Sequence, residues 1–320
     1  MKNDFGKVGV LYGGRSAERA VSLVSGKGVY EALLSKGIDA HLFDTAEHSL
    51  AELATAGFDR VFIALHGRYG EDGSLQGALE LLRIPYTGSG VMASGLAMDK
   101  IMTKRIWNEQ TIPTAPYCMV RSRQDMDLAA KTLGYPFILK APHEGSTLGL
   151  SKVTGAHELS AAFDDVHQFD SELLAEKFIA GRELTVAILG KGDDARAYPI
   201  IEIVAPDGKY DFEHKYVSEE TQYHCPADLP QALAASIRQT CEKAFVAVGC
   251  EGWGRVDVML DKDHRYFLLE VNTSPGMTPH SLVPMGAKAE GVSYADLCVQ
   301  ILVQASCKIQ PTSAVAEPQL

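Results

Sequence analysis

The chain has no long apolar run and no excess of basic residues, and both absences limit what it can bind. Its 30 lysines and arginines face 41 aspartates and glutamates, a formal net charge of −11 at pH 7. A negative net charge disfavours nucleic acid and anionic membrane surfaces as partners. No stretch approaches the roughly 20 apolar residues of a membrane span, and the first residues lack a signal-peptide core. We therefore predict a cytoplasmic protein with no nucleic-acid or membrane partner.

Closely spaced cysteines and the two common nucleotide-binding glycine motifs are also missing. The six cysteines form no C-x-x-C pair, which argues for reduced thiols rather than a zinc site or a disulfide framework. The chain contains neither G-x-x-x-x-G-K-[ST] nor G-x-G-x-x-G, so a P-loop and a Rossmann dinucleotide site are excluded.

The clearest chemical signal that is present is a predicted β-hairpin near the carboxyl end. Residues 252–260 and 266–272 are rich in β-branched, aromatic and aliphatic side chains, and a polar connection separates them. If the turn spans residues 262–265, Asp261 pairs with Tyr266. The same register aligns the polar side chains further along both strands.

In that register Asp257 lies opposite Glu270 and Arg255 lies opposite Asn272, all on one face of the sheet. Opposed side chains have Cβ atoms about 5 Å apart, close enough for one cation to bridge them. Two carboxylates and an amide offer only oxygen ligands, which suits Mg²⁺ that also binds substrate phosphates. The alternative is a solvated face with scattered charges, but a carboxylate among apolar neighbours such as Phe267 needs a partner. We predict a Mg²⁺ site at Asp257, Glu270 and Asn272.

The rest of the chain alternates strand and helix signals. Strands over 7–12, 38–43 and 60–65 with helices between them predict a small α/β domain with a parallel sheet. We place the first helix between Ser16 as its N-cap and Gly37 as its stop. Further strands are predicted over 115–120, 136–140, 172–179, 183–189 and 196–205, and further helices over 91–110, 124–133, 156–163, 230–248 and 290–303. The long polar and aromatic loop 206–226 is typical of a lid.

Two loops that follow strands are candidate ligand sites. His66-Gly67-Arg68 follows a strand at the edge where open α/β sheets bind ligands, although a lone loop histidine is as often structural. The Glu-Gly-Ser-Thr-Leu-Gly loop at 144–149 follows the strand that ends in Lys140, and the N–H groups of such a loop can cradle phosphate.

Seven segments carry a family resemblance: GGRSAER at 13–19, LHGR at 65–68, MDK at 98–100, EGS at 144–146, KY at 215–216, GRVD at 254–257 and EVNTSPGMT at 270–278. Together they resemble the D-alanine–D-alanine ligase family of the ATP-grasp superfamily, in order from about residue 7 to about residue 303. The resemblance implies an α/β (α+β) protein of ATP-grasp fold. It implies an N-terminal α/β domain over 1–97 with a parallel sheet, followed by two sheet-containing units, 98–187 and 188–320, that sandwich ATP.

The resemblance implies an ADP-forming enzyme that joins two D-alanines through an acyl phosphate, for peptidoglycan synthesis, cell-wall biogenesis and cell shape. ATP is the co-substrate, two Mg²⁺ ions assist, and Mn²⁺ can substitute for Mg²⁺. The partners are the two D-alanine molecules and ATP, and a homodimer through the N-terminal domain is also implied.

Residue roles follow from the same resemblance. For ATP, Lys100 and Lys140 would bind phosphates, with Lys215 also on the nucleotide; Glu176, Lys177 and Ile179 would read adenine, and Glu183 the ribose. Asp257, Glu270 and Asn272 match the metal ligands.

For the amino acids, Glu18 would meet the ammonium of the first D-alanine, with His66 nearby, and Arg255 and the Gly276 N–H would polarise its carboxyl group. Ser281 and Leu282 would hold the carboxylate of the second, and Ser146 and Tyr216, linked to Glu18, would pin the lid.

Three positions depart from the family pattern. Thr147 and Leu148 replace the more usual Ser-Val. His143 stands where an arginine is often found, so the sequence does not decide whether a positive charge lies near the phosphates. Two alternatives stay open as well. Another ATP-grasp carboxylate–amine ligase would differ at the Glu18 and Ser281 ends. A non-catalytic ATP-binding module would not need the full set Lys140, Arg255, Asp257, Glu270 and Asn272.

Overall fold

The computed structural model describes residues 4–145, 149–206 and 221–309. Ser146, Lys215 and Tyr216, together with Thr147, Leu148 and most of the predicted lid, lie outside these ranges. Among the helices within them, none is both long enough and apolar enough to cross a membrane.

The amino-terminal part contains a three-stranded parallel sheet, as predicted. Its strands lie in the order β2-β1-β3. They are β1 (Val8–Tyr12), β2 (Ala40–Asp44) and β3 (Arg60–Ile63), and the helices of this part are α1 (Arg19–Ser35), α2 (Leu50–Thr55) and α3 (Ser74–Leu82). The parallel register follows from the helical crossovers, which return each strand in the same direction.

The first helix begins later than predicted. Glu18, not Ser16, occupies the N-cap position of α1. The Ser16 hydroxyl instead donates to the carbonyl oxygen of His66 at 2.7 Å and accepts the Glu18 N–H at 3.2 Å, so it ties the helix start to the loop after β3. The predicted stop is confirmed, since Gly37 follows the helix with φ +73.

The single helix predicted over 91–110 is wrong. The structure has two helices there, α4 (Val91–Met98) and α5 (Lys100–Glu109), with Asp99 extended between them at φ −86 and ψ 99. The Asp99 carboxylate accepts the N–H groups of Ile101 and Met102 and caps α5. A side chain that caps a helix favours a new start over continuation.

The middle of the chain forms a four-stranded antiparallel sheet in the order β4-β7-β5-β6. The strands are β4 (Tyr117–Val120), β5 (Phe137–Lys140), β6 (Leu150–Val153) and β7 (Leu173–Lys177), and α6 (Arg123–Leu133) and α7 (Leu159–His167) cover one face. Only β6, a short edge strand with two exposed residues, was not predicted.

The carboxyl-terminal part forms the larger sheet, in the order β11-β10-β8-β12-β13 with β9 paired to β8. The strands are β8 (Gly181–Gly190), β9 (Arg196–Ala197), β10 (Ile201–Val204), β11 (Gln222–His224), β12 (Gly252–Asp261) and β13 (Tyr266–Asn272). The strand predicted over 196–205 is interrupted at 198–200, where Pro199 has no N–H to donate to a neighbour. The predicted unit boundary at 187/188 falls inside β8.

Three helices follow in the described residues from 221 to 309: α8 (Gln231–Ala247), α9 (Leu282–Ala289) and α10 (Tyr294–Val303). The helix predicted over 290–303 begins too early. Glu290 caps the end of α9, Gly291 has φ +80, and Ser293 caps the start of α10. Side chains of α10 pack with β1 in one hydrophobic core that also includes Trp253 and Met277.

The central hairpin contains a bulge. Arg255 pairs with Asn272 and Asp257 with Glu270, so both predicted pairs are confirmed. Nearer the turn the predicted register is wrong, because Leu260 rather than Asp261 pairs with Tyr266. The register shifts by one residue between Asp257 and Val258, and the unpaired extra residue is Leu269.

Candidate active site

A cavity of about 690 Å³ opens where the loops after β1, β3 and β13 meet the start of α9. Eight of the residues predicted to bind substrate or metal line it: Glu18, His66, Arg255, Glu270, Asn272, Gly276, Ser281 and Leu282. Apolar side chains of α1, including Val21 and Val24, form another wall. Residues far apart in the chain are thus brought to one site.

The loop after β13 lines this cavity and is fixed by hydrogen bonds of its backbone N–H groups. The N–H of Ser274 is bonded to Glu71, that of Met277 to Ser25 and that of Thr278 to Ser281, at 3.3, 3.1 and 2.9 Å. The Gly276 N–H has no acceptor within residues 4–145, 149–206 and 221–309. A donor held this way can stabilise an oxyanion without reorganising.

His66 anchors this loop instead of offering a donor to a ligand. Its Nδ1 is 2.8 Å from the Ser274 carbonyl oxygen and its Nε2 is 3.0 Å from the Ser25 hydroxyl. A carbonyl can only accept, so Nδ1 carries the proton and Nε2 accepts from Ser25. Burial lowers the pKa of His66, which keeps the ring neutral in this role, although Glu18 opposes the shift.

Glu18 and Glu71 place two carboxyl groups against the same cavity. The Glu71 carboxylate accepts the N–H groups of Gly67 and Ser274 at 2.8 and 3.3 Å. Burial, and secondly the charge of Glu18, raises the pKa of Glu71. An ammonium group placed here would favour the charged form of both carboxyl groups and would be attracted by that charge.

Arg255 lies on β12 of the hairpin and lines the same cavity as Glu18 and Glu71. Its guanidinium forms a two-pronged pair with the Asp257 carboxylate, at 2.8 and 2.7 Å. Thr185 on β8 donates to the same carboxylate at 2.6 Å, and the Asn272 side-chain nitrogen lies 3.2 Å from it. Asp257 is therefore fixed in place.

Lys100 connects the hairpin to the phosphate-loop stem at 142–145. Its ammonium lies 3.0 Å from the Glu270 carboxylate and donates to the Glu144 carbonyl oxygen at 2.8 Å. The Glu144 side chain in turn pairs with Arg68 at 2.6 Å. Two predicted ligands of different groups, a phosphate-binding lysine and a metal-binding carboxylate, thus contact each other.

His143, the departure from the family pattern, belongs to the same stem. Its Nδ1 lies 2.5 Å from Asp170 and its Nε2 3.4 Å from Asp99. The hydrogen bond to Asp99, then that to Asp170, raises the pKa of His143 to about 9. His143 is therefore a charged tether of the loop stem.

The predicted nucleotide side centres on Glu176, which is buried between two lysines. Its carboxylate pairs with Lys140 at 2.6 Å and with Lys104 on its other oxygen. Burial alone would raise the pKa of Glu176, but the two ammonium groups hold it below its usual range. Lys104 is fully buried, and burial lowers its pKa to about 8.

The other predicted nucleotide residues follow in order along the turn from β7 to β8. Lys177 ends β7, where its N–H bonds to the Pro116 carbonyl oxygen and its ammonium to that of Leu133, both at 2.8 Å. Ile179 lies in the turn, and Glu183 lies on β8 opposite Met259. The Lys177 side chain is thus committed to the central sheet.

Ser281 and Leu282 lie at the start of α9 and line the cavity. The Ser281 hydroxyl contacts the N–H and hydroxyl of Thr278 at 2.9 and 2.8 Å and makes no cap bond to its own helix. The first N–H groups of a helix favour an anion.

The hairpin face fits Mg²⁺ by its chemistry. Asp257, Glu270 and Asn272 share one face because their strands pair in register. Within the part of the chain that the structure describes, no three His, Cys, Asp or Glu side chains cluster as metal ligands. Mg²⁺ is commonly held by one or two carboxylates together with water and substrate phosphates.

Known proteins share both sequence and fold with this chain. The family described as D-ala D-ala ligase C-terminus matches residues 106–303, and D-ala D-ala ligase N-terminus matches residues 43–89. The D-alanine–D-alanine ligase of Bordetella pertussis is 65% identical over 310 residues, 97% of this chain and 98% of that protein. The chain belongs to the D-alanine–D-alanine ligase family.

Solved structures of D-alanine ligases match along nearly the whole chain. VanG D-Ala:D-Ser ligase from Enterococcus faecalis has a TM-score of 0.83 at 26% identity, covering 93% of this chain and 98% of its own. The ATP complex of the Bacillus anthracis D-alanine–D-alanine ligase has a TM-score of 0.79 at 31% identity, with 93% and 96% covered. The predicted α/β ATP-grasp fold, with a parallel sheet followed by antiparallel sheets, is confirmed.

Sequence reasoning missed Glu71, Ser25 and Lys104 at this D-alanine ligase site. Glu71 stands in the same loop as His66, so its position after a strand end was a usable signal. Ser25 and Lys104 lie inside helices, where a single polar residue has no pattern that marks it.

Proposed function

We propose that this protein joins two D-alanine molecules to D-alanyl-D-alanine with conversion of ATP to ADP and phosphate, for peptidoglycan synthesis. One observation carries the proposal: a single cavity is lined by the carboxyl groups of Glu18 and Glu71, by Arg255 and Gly276, and by Ser281 and Leu282 at a helix start. Two amino acids laid end to end would find an anion for the first ammonium and donors for the second carboxylate.

In the first step, the carboxylate of the first D-alanine attacks the γ-phosphorus of ATP and forms an acyl phosphate. Such transfer depends on in-line positioning and charge neutralisation more than on covalent help from the protein. Glu18 would hold the ammonium group of this substrate, and Arg255 would orient its carboxylate. His66 would act through the loop that it anchors, since both ring nitrogens have protein partners.

In the second step, the amine of the second D-alanine attacks the acyl carbonyl carbon, and phosphate leaves after a tetrahedral oxyanion. The Gly276 N–H and Arg255 would stabilise that oxyanion. Ser281 and Leu282 would bind the second carboxylate at the start of α9. Acyl phosphates hydrolyse readily, so Ser146 and Tyr216, with Glu18, would serve to close the site against water.

Lys100 and Lys140 would bind ATP phosphates, with Lys215 also on the nucleotide. Glu176, Lys177 and Ile179 would contact adenine, and Glu183 the ribose. Because Lys100 pairs with Glu270 and Lys140 with Glu176 without nucleotide, both lysines would exchange a carboxylate for a phosphate on binding.

Two Mg²⁺ ions, or Mn²⁺ in their place, would be held by Asp257, Glu270 and Asn272. When bound, they would neutralise phosphate charge. The paired register and the all-oxygen donor set support this assignment.

At the level of the whole molecule, we propose three units, with the second boundary placed before Gly181 so that β8 stays in one unit. The lack of basic excess and of spanning helices in the described residues supports a cytoplasmic location, and the family resemblance supports a homodimer through the N-terminal unit.

The deciding assay measures phosphate release from ATP with D-alanine, and mass spectrometry identifies the dipeptide. Parallel reactions replace the second substrate with D-serine, which a structural neighbour uses, or D-alanine with L-alanine. We expect release with D-alanine alone and a D-alanyl-D-alanine product. ATP binding without D-alanine-dependent release would instead favour a non-catalytic module, and release with a different acid and amine would favour another ligase.

A further inference from the structure

The Lys104 side chain lies in the interior beneath the proposed phosphate site. It is completely buried, at 0% exposure. Its ammonium donates to the Thr114 hydroxyl at 2.5 Å, and that hydroxyl donates to the Leu268 carbonyl oxygen at 2.7 Å. The face of Tyr117 lies 5.9 Å from the same nitrogen. The ammonium is held from several sides in a fixed position.

Glu176 stands between this buried lysine and Lys140. One carboxylate oxygen pairs with Lys104 and the other with Lys140 at 2.6 Å. Glu176 pairs with Ile138 across β5 and β7, so Lys140, two residues further along, shares its face of the sheet. Lys140 ends its strand and has an 11% exposed side chain, whereas Lys104 has no exposed surface.

One ammonium group is enough to neutralise the Glu176 carboxylate, so the presence of a second lysine requires another explanation. Placing an additional charge in the interior costs desolvation energy, and a buried ion pair is often no better than apolar packing. With Lys104 absent, Glu176 and Lys140 would form a closed neutral pair. With Lys104 present, Glu176 stays neutralised when Lys140 moves away.

We propose that Lys104 is a positioning residue for nucleotide binding: it neutralises Glu176 from the interior and so leaves Lys140 able to bind a phosphate. The inference rests on the proposed function, because it assigns Lys140 to the ATP phosphates. Lys104 itself does not touch the nucleotide in this arrangement.

A double-mutant cycle tests the link. Calorimetry measures the affinity of Mg·ATP, and of inorganic tripolyphosphate, for the full-length wild type, Lys104→Met, Glu176→Gln and the double variant. We expect Lys104→Met to weaken both ligands by ~10-fold or more, the effect of losing about one charged contact. In the Glu176→Gln background the same change should cost less than ~3-fold, because Lys140 is already released. An equal cost in both backgrounds, or no cost in the wild type, overturns the proposal.

A matched control is Lys131→Met, which removes an exposed charge from the last turn of α6. This helix packs against Phe137 and Leu139, on the face of the sheet opposite to Lys140 and Glu176. We expect unchanged affinity for both ligands. Thermal unfolding of each variant shows whether Lys104→Met is folded.

Should Lys104→Met not fold, Lys104→Gln replaces it in the cycle, because an amide of similar length can still donate to Thr114 but carries no charge to neutralise Glu176. We expect the same loss of tripolyphosphate affinity, and unchanged binding overturns the proposal. D-alanine-dependent ADP formation by the wild type is measured alongside. Wild-type binding of Mg·ATP without that turnover contradicts the proposed function but leaves the cycle interpretable.

Discussion

Lys100 and Glu270 form an ion pair across the candidate site, with 3.0 Å between ammonium nitrogen and carboxylate oxygen. The first is a proposed phosphate ligand and the second a proposed metal ligand. The side chains are 12% and 24% exposed, so neither charge is fully in water. Each group has a counter-charge within the protein itself, which limits the cost of burying part of it.

Glu270→Gln should therefore weaken Mg²⁺ binding but have little effect on the stability of the fold. Removing this carboxylate takes away a metal ligand, so the Mg²⁺ concentration for half-maximal activity should rise by ~10-fold or more, equal to about 1.4 kcal/mol. Lys100 keeps its bonds to the loop stem, so the unfolding temperature should change little. Mg²⁺ titrations of ligase activity and calorimetric melts measure the two effects. An unaltered Mg²⁺ requirement would remove Glu270 from the metal site.

Stability should depend on His143 in the alkaline range. Its folded-state pKa, raised to about 9 by Asp99 and Asp170, exceeds the unfolded value of about 6.5. Such a group contributes its full stabilisation below about pH 6.5 and loses it as pH rises through about 9. Urea unfolding from pH 6 to 10 should show a steeper decline for the wild type than for His143→Gln. Parallel curves would mean that the imidazolium tether contributes nothing to stability.

Ser25→Ala tests the anchor of the loop that carries Gly276. The hydroxyl accepts the Met277 N–H and donates to His66, and its loss leaves buried polar groups unpaired, at ~1–3 kcal/mol of stability. Because the loop shifts, kcat/KM for D-alanine should also fall, by ~10-fold if about 1.4 kcal/mol reaches the transition state.

Ser22→Ala is the matched control, since Ser22 lies on the same helix, is equally buried and donates to the Ala64 carbonyl oxygen at 2.7 Å. It should lower stability without lowering kcat/KM. Equal kinetic losses in both variants would mean that Ser25 has no special connection to the site.

Gly276→Ala should separate the two D-alanine subsites. A Cβ at this position would lie 3.1 Å from the Ser281 hydroxyl oxygen, so that side chain would have to move. The backbone N–H would remain. Steady-state kinetics should show a higher KM for the second D-alanine, with Mg·ATP affinity unchanged within about twofold, or ~0.4 kcal/mol. An equal rise in both constants would argue against a local contact with Ser281.

The sequence predicted the parallel sheet, the ATP-grasp fold and the pairs at the metal end of the hairpin, because these depend on local periodicity and on a long run of family motifs. It did not predict the break at Asp99, where the carboxylate caps a new helix instead of lying on the surface of a continuous one. The partners of Lys104 and His143 were also beyond it, since Glu176 and Asp170 reach them only through tertiary packing. The roles of the individual site residues stay predictions.

The bulge at Leu269 affects the direction of side chains in the hairpin but not the choice of paired residues. Leu260–Tyr266 and Asp257–Glu270 belong to registers one residue apart, and Leu269 is the difference. If Leu269 were deleted, both pairs could persist in a single unbroken register. Leu269 is therefore not needed for this cross-strand pairing. Its effect is on strand geometry, because a bulge adds local right-handed twist and changes the direction of the side chains beside it. Deletion of Leu269 would thus leave the cross-strand pairs unchanged and rotate the Glu270 side chain relative to the turn.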